Sequence, residues 1–117
     1  MKALSLPILG HLDPEFQKMM DEICDLLRYV FQTSNKMTIP ISGTGTAGME
    51  STVSCVAEPG RKMLVAVAGY FAERLAEMGR RHGAEVHTIH KPWGQTFSLQ
   101  EIEKEISSFK PDIFAIV

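Results

Sequence analysis

Lys62-Met-Leu-Val-Ala-Val-Ala68 is a continuous apolar run that ends at Gly69. A strand with one wet face alternates polar and apolar residues, and this run does not. It suits a parallel strand buried on both faces, with helices above and below the sheet. The neighbouring segments agree. Residues 70–82 carry Phe71, Leu75 and Met78 on one side, with Glu73, Arg74, Glu77, Arg80 and Arg81 mostly elsewhere, and Gly83 stands where a helix ends on glycine. Residues 84–90 alternate Val86, Thr88 and His90 against His87 and Ile89, which reads as a second strand.

The same alternation of element types extends both ways. Asp13-Pro14 is a helix start, with Asp as N-cap and Pro at the first helical position. Phe16, Met19, Met20, Ile23, Leu26, Leu27, Val30 and Phe31 then recur at spacings of three and four, giving a helix of about 18 residues that stops near Asn35. Residues 1–12, with Pro7 and Gly10, read as an extended tail. Met37–Ser42 reads as a short strand that Pro40 confines to a sheet edge. A helix is expected over about Ala47–Ala57, closed by Glu58-Pro-Gly60. Ser98-Leu-Gln-Glu101 is a capping box opening a helix to Phe109, with Leu99, Ile102 and Ile106 inward. Residues 112–117 make a last strand. Strands and helices thus alternate through short connections, and the expected class is α/β: a mostly parallel sheet flanked by helices. The expected organisation is a tail over 1–12 and one partial domain over 13–117.

Ligands of such sheets bind at the carboxyl ends of the strands. Ser42-Gly-Thr-Gly-Thr-Ala-Gly-Met-Glu50 lies at one such end, with three glycines and the hydroxyls of Ser42, Thr44 and Thr46 before a helix. Glycine lets backbone N–H groups approach a ligand, and a helix start adds unpaired donors and the positive end of a dipole. A phosphate is the natural guest. Residues 43–48 also match G-x-G-x-x-G, but the strand 62–68 ends without the carboxylate that would hold a ribose, and no Gly-Lys-Ser/Thr is present for a P-loop. A glycine-rich corner with no ligand stays open as the plain alternative, although it has no need of three hydroxyls. Tyr70 and Phe71 come directly after the next strand, either as core aromatics or as a platform for a flat ligand.

Composition excludes several classes. The chain has 117 residues, 44% of them hydrophobic, and a net charge of −2, so nothing points to nucleic acid or an anionic membrane surface. No apolar run approaches the ~20 residues that span a bilayer. Cys24 and Cys55 sit among apolar neighbours in helical segments and read as reduced core thiols of a cytoplasmic protein. The four histidines lack metal-ligand spacing. His87 and His90 point to opposite strand faces, and His82 falls near a helix C-terminus. No metal site is expected.

Gly10-His-Leu-Asp-Pro-Glu-Phe16, Met20-Asp-Glu-Ile23, Tyr29-Val-Phe-Gln-Thr33, Ser42-Gly-Thr-Gly-Thr-Ala-Gly-Met-Glu50, Glu58-Pro-Gly60 and Gly83-Ala-Glu-Val86 occur here in one order. Together they resemble the alanine–glyoxylate / serine–pyruvate aminotransferases, in the class V branch of pyridoxal-phosphate enzymes with the aspartate-aminotransferase-like fold (fold type I). The resemblance implies that Thr44, Gly45 and Thr46 hold the phosphate of pyridoxal 5′-phosphate. It implies that Phe71 stacks on the pyridine ring, and that Gly10 and His11 lie near the substrate side. It implies transfer of an amino group from a small amino acid to a 2-oxo acid such as glyoxylate or pyruvate, and a homodimer for the full-length enzyme. Aminoethylphosphonate or ureidoglycine aminotransferases, a desulfurase and a non-catalytic remnant stay open as alternatives.

Family members are much longer, and the lysine that forms the Schiff base lies downstream of anything here. None of the chain's lysines matches it, so no catalytic residue is assigned and the chain alone is expected to be inactive. The family's sheet order also places later strands between 37–42 and 112–117. Strand 37–42 is therefore expected to lack its native neighbour and to leave the chain marginal or aggregation-prone. Direct pairing of 37–42 with 112–117 would mark a rearrangement.

Overall fold

The strand β1, Lys62–Val67, decides the sheet. Its side chains from Met63 to Val67 are all buried, and Leu64 is 0% exposed. Full burial of one such aliphatic side chain stabilises by about 1.5–3 kcal/mol. β1 pairs in parallel with β2, Glu85–His90, from Lys62↔Glu85 to Val67↔His90. On its other side it pairs in parallel with β3, Ile113–Ile116, from Met63↔Ile113 to Ala66↔Ile116. The order is β2-β1-β3, so the strand that is apolar from Met63 to Val67 is the central one.

This computed structural model describes residues 2–117. They fall into two compact units, one through Ser42 and one over Gly43–Val117. The second unit holds the sheet, α2 (Gly45–Ser54), α3 (Tyr70–Arg81) and α4 (Leu99–Phe109). Met63, Val65 and Val67 on one face of β1 cluster with Val53, Ala72, Ala76 and Met78. The buried face of α3 is thus centred on its alanines. Phe71, expected on the apolar side, is 55% exposed. Gly79 brings α3 close to the sheet: a Cβ there would lie 2.6 Å from Met63 Sδ and 3.1 Å from Val86 Cγ2.

The end of α3 and the start of α4 obey the sequence signals. Gly83 has φ +86°, and α3 closes with Gly83 N–H on Arg80 O at 3.0 Å and Ala84 N–H on Gly79 O at 3.1 Å. That is the two-bond C-terminal motif that favours glycine. A Cβ at Gly83 would also meet Pro59 Cγ at 2.9 Å. The expected capping box is present in full on α4. The inward face expected for α4 is met only in part: Ile102 is half-buried, but Leu99 is 74% exposed and no residue of that helix is fully buried.

The first unit holds a 3₁₀ turn over Lys2–Ser5 and α1 over Pro14–Val30. The turn departs from the extended tail expected over 1–12; Met1 lies outside the described residues. Asp13 caps α1 as expected, its Oδ1 accepting from Glu15 N–H at 2.9 Å. The helix ends earlier than Asn35. Gln32 takes a left-handed conformation, φ 50°, and Arg28 holds the returning chain through Asn35 O at 3.1 Å and Lys36 O at 2.9 Å. Phe16, Met20, Ile23 and Leu27 of α1 are half-buried and none is fully buried; the described residues of its unit form no strand or second long helix to complete the cover.

The strand expected over Met37–Ser42 does not form. Pro40 has no N–H to donate, and a strand exists only through pairing. The helix expected to begin near Ala47 starts earlier, at Gly45, inside the glycine segment. Cys24 is half-buried and Cys55, at the end of α2, is exposed, so neither is the core thiol its neighbours suggest.

Candidate functional site

Thr44 makes the start of α2. Its backbone is extended (φ −77°, ψ 167°) and its Oγ1 accepts from Ala47 N–H at 3.4 Å. Its carbonyl accepts from Gly48 N–H at 3.2 Å. Gly45 and Thr46 are the first two helical residues, and their N–H groups have no carbonyl within the helix to bond. They are donors pointing out of the helix start.

The glycines here do different things. A Cβ on Gly43 would stand 2.8 Å from Ala47 Cβ, so glycine lets the loop fold against its own first turn. A Cβ on Gly45 would meet nothing within 4 Å. No packing demands glycine at 45. Bare backbone facing open space is what an anion approaching N–H donors requires.

Thr44 and Thr46 line a groove of about 670 Å³ between α2 and α3, together with Tyr70, Arg74 and Arg81. Its carboxylates are engaged: Glu77 with Arg81 at 3.1 Å, and Glu50 with His82 Nε2 at 2.7 Å. Arg74 lies over the Tyr70 ring, 5.8 Å from its centroid, and has no carboxylate partner among the described residues. Tyr70, rather than Phe71, shares this groove with the threonines. Phe71 meets Tyr70 edge-on, with ring centroids 6.0 Å apart. Thr44, Gly45, Thr46 and Phe71 therefore all belong to the unit of the sheet. Gly10 and His11 belong to the other unit, where Gly10 O accepts from Asp13 N–H at 3.0 Å and His11 is exposed.

The remaining histidines are structural partners. His87 lies against the Phe109 ring, 5.2 Å between centroids, and 3.4 Å from Glu105 Oε2. His90 Nε2 is 3.0 Å from Thr88 Oγ1. A second cleft, about 300 Å³, opens at the amino ends of the strands, where Arg61 and Asp112 are already paired at 3.6 Å.

One cluster is not visible in the sequence. Lys91 Nζ donates to Glu101 Oε2 at 2.8 Å and to Thr96 O at 3.0 Å. The capping box announces Glu101, but nothing in the spacing announces Lys91 as its partner. The Lys91 ammonium, then the Ser98 N–H and hydroxyl, hold the Glu101 carboxyl down to about 2.

A family model described as aminotransferase class-V matches residues 5–117. The chain belongs to the class-V aminotransferases. This class-V chain is 38% identical over 117 residues to (S)-ureidoglycine–glyoxylate transaminase of Bacillus subtilis (strain 168), covering 100% of the chain and 28% of that relative. It is 42% identical over 111 residues to alanine–glyoxylate aminotransferase of Callithrix jacchus, covering 95% of the chain and 27% of the relative. The solved structure of alanine–glyoxylate aminotransferase from Nostoc sp. superposes with a TM-score of 0.89 at 51% identity, over 98% of this chain and 30% of that one. The chain thus spans less than a third of the length of these relatives. Its fold is part of the fold type I aminotransferase architecture. No helix among the described residues is long and apolar enough to cross a membrane.

Proposed function

We propose that this class-V chain holds pyridoxal 5′-phosphate and serves a transaminase that passes the amino group of a small amino acid to glyoxylate. The observation that carries the reading is the start of α2: a threonine cap, two outward N–H groups, and open space over Gly45. A phosphate ester there gains charge-assisted hydrogen bonds from Gly45 and Thr46 and the favourable end of the helix dipole, worth roughly 0.3–1 kcal/mol. The Thr44 and Thr46 hydroxyls add donors. Phe71, half-exposed after β1, supplies a ring face for the pyridine. Gly10 and His11 are assigned to the substrate side. Once bound, the cofactor supplies the electron sink for a carbanion at the substrate Cα.

Glyoxylate is chosen as acceptor because both named relatives carry it in their names, while their donors differ. None of the chain's own lysines corresponds to the family's cofactor-linking lysine, so the 117 residues alone are assigned binding without turnover. A homodimer and a cytoplasmic setting belong to the same reading of the whole enzyme.

The test is calorimetric. Pyridoxamine 5′-phosphate, which cannot condense with lysine, is titrated into the chain beside pyridoxamine. The phosphorylated form should bind at least tenfold more tightly, a difference of about 1.4 kcal/mol. Thr44→Ala combined with Thr46→Ala should narrow that gap, leaving the part carried by the backbone N–H groups at 45 and 46. Equal binding of the two vitamers would sink the phosphate assignment. For the whole enzyme, a donor panel with alanine and ureidoglycine against glyoxylate separates the two transaminase readings.

A further inference from the structure

The loop 91–98 joins β2 to α4 and turns back over the end of β1. Lys91 N–H donates to Val67 O at 2.9 Å, continuing the ladder, and Gly94 N–H donates to Ala68 O at 3.3 Å. These are the last two carbonyls before Gly69. Gly69 O in turn accepts from Glu73 N–H at 3.3 Å, the bond that opens α3. The loop therefore grips the backbone where β1 passes into the helix carrying Tyr70 and Phe71.

One carboxylate oxygen holds the loop. Glu101 Oε2 accepts from Lys91 Nζ at 2.8 Å, from Ser98 N–H at 2.7 Å and from Ser98 Oγ at 2.8 Å. Lys91 Nζ also donates to Thr96 O at 3.0 Å and lies 5.4 Å from the Phe97 ring centroid. Both ends of the loop and its middle are thereby tied to one point. The Lys91 side chain is only 24% exposed, low for a residue type that is normally solvated. A plain helix cap needs Ser98 and Glu101 but no lysine.

We propose that Lys91 and Glu101 are positioning residues for the ring-bearing start of α3. Through the loop 91–98 they fix the Ala68 and Gly69 backbone and thus the place from which Phe71 projects. The functional weight of this rests on the reading that Phe71 stacks on the cofactor. Lys91 touches no reacting atom; it acts through Gly94 and Ala68.

The experiment is amide hydrogen exchange by NMR on the 117-residue chain, with pyridoxamine 5′-phosphate and inorganic phosphate titrated alongside. In Lys91→Met the Gly94 and Glu73 amides should exchange about tenfold faster, the scale of one lost charge-assisted hydrogen bond. The Val65 amide at the centre of β1 should keep its wild-type rate. Lys91→Arg, which can reach both acceptors, should restore the wild-type pattern. Affinity for pyridoxamine 5′-phosphate should fall about threefold in Lys91→Met while that for inorganic phosphate stays unchanged, because the α2 donors are untouched. Glu101→Gln, which keeps a cap acceptor but loses the ion pair, should reproduce the exchange pattern if Lys91→Met folds poorly. Unchanged exchange at Gly94 and Glu73, or equal acceleration at Val65, overturns the proposal. A wild-type chain that ignores pyridoxamine 5′-phosphate yet shows Lys91-dependent exchange overturns the cofactor reading and supports the positioning role.

Discussion

β1 and α1 are both rich in apolar residues, and the structure treats them in opposite ways. Every side chain of β1 from Met63 to Val67 is buried. α1 has a longer apolar stripe and buries none of it fully: Phe16, Met20, Ile23 and Leu27 are half-buried, and Leu26 is 63% exposed. The difference is not hydrophobicity but company. A strand recruits neighbours on two edges and two faces, whereas a helix without a partner keeps only its local bonds. Those are marginal for a single helix of this length in water. Apolar periodicity states what an element would bury, not whether a surface is there to receive it.

The sharpest way to break this contrast is truncation at both places. Leu64→Ala should cost about 3 kcal/mol and lower the melting temperature of the unit 43–117, whereas Leu26→Ala should stay within about 0.5 kcal/mol. Comparable losses in paired chemical denaturations would mean that α1 is packed after all. A smaller effect is expected where α3 presses on the sheet. Gly79→Ala places a methyl against Met63 and Val86 and should destabilise by about 1–2 kcal/mol, even though alanine favours helix. A stabilised variant in thermal melts would show that Met63 yields freely.

Next comes the cap of α4. Ser98→Ala should cost about 1 kcal/mol, read as faster amide exchange confined to the first turn of that helix. Acid gives the mildest probe. Glu101 is more acidic folded than unfolded, so its contribution is complete above ordinary carboxylate pKa values. It is lost as pH falls toward about 2, and Glu101→Gln should flatten that part of the acid-unfolding curve. An unaltered curve would remove Lys91 and Ser98 as its cause.

Much of the fold is legible because it is written locally. The run 62–68 announces a strand covered on both faces, Asp13-Pro14 and Ser98–Glu101 announce helix starts, and Gly83 announces a helix end; all four are in place. Met37–Ser42 reads as a strand and forms none, because a strand is a relation between two segments and its own residues cannot supply the partner. Leu99 and Cys55 mislead for a related reason: an apolar neighbourhood in sequence is not a covered one in space. At the site, the hydroxyls and glycines around Thr44 are readable, since a helix start is local. The sharing of one groove by Tyr70 and the threonines is not, because it depends on how α2 and α3 lie together.

Gly83 and Pro59 carry a consequence for how this sequence can drift. A side chain at 83 would strike the Pro59 ring and would also be forced into a left-handed backbone. Replacing Pro59 with a smaller residue removes the collision and leaves the backbone cost. The two substitutions should therefore be less than additive, and any lineage that abandons the glycine should first have given up the proline. The turn before β1 and the turn after α3, distant along the chain, change under one constraint.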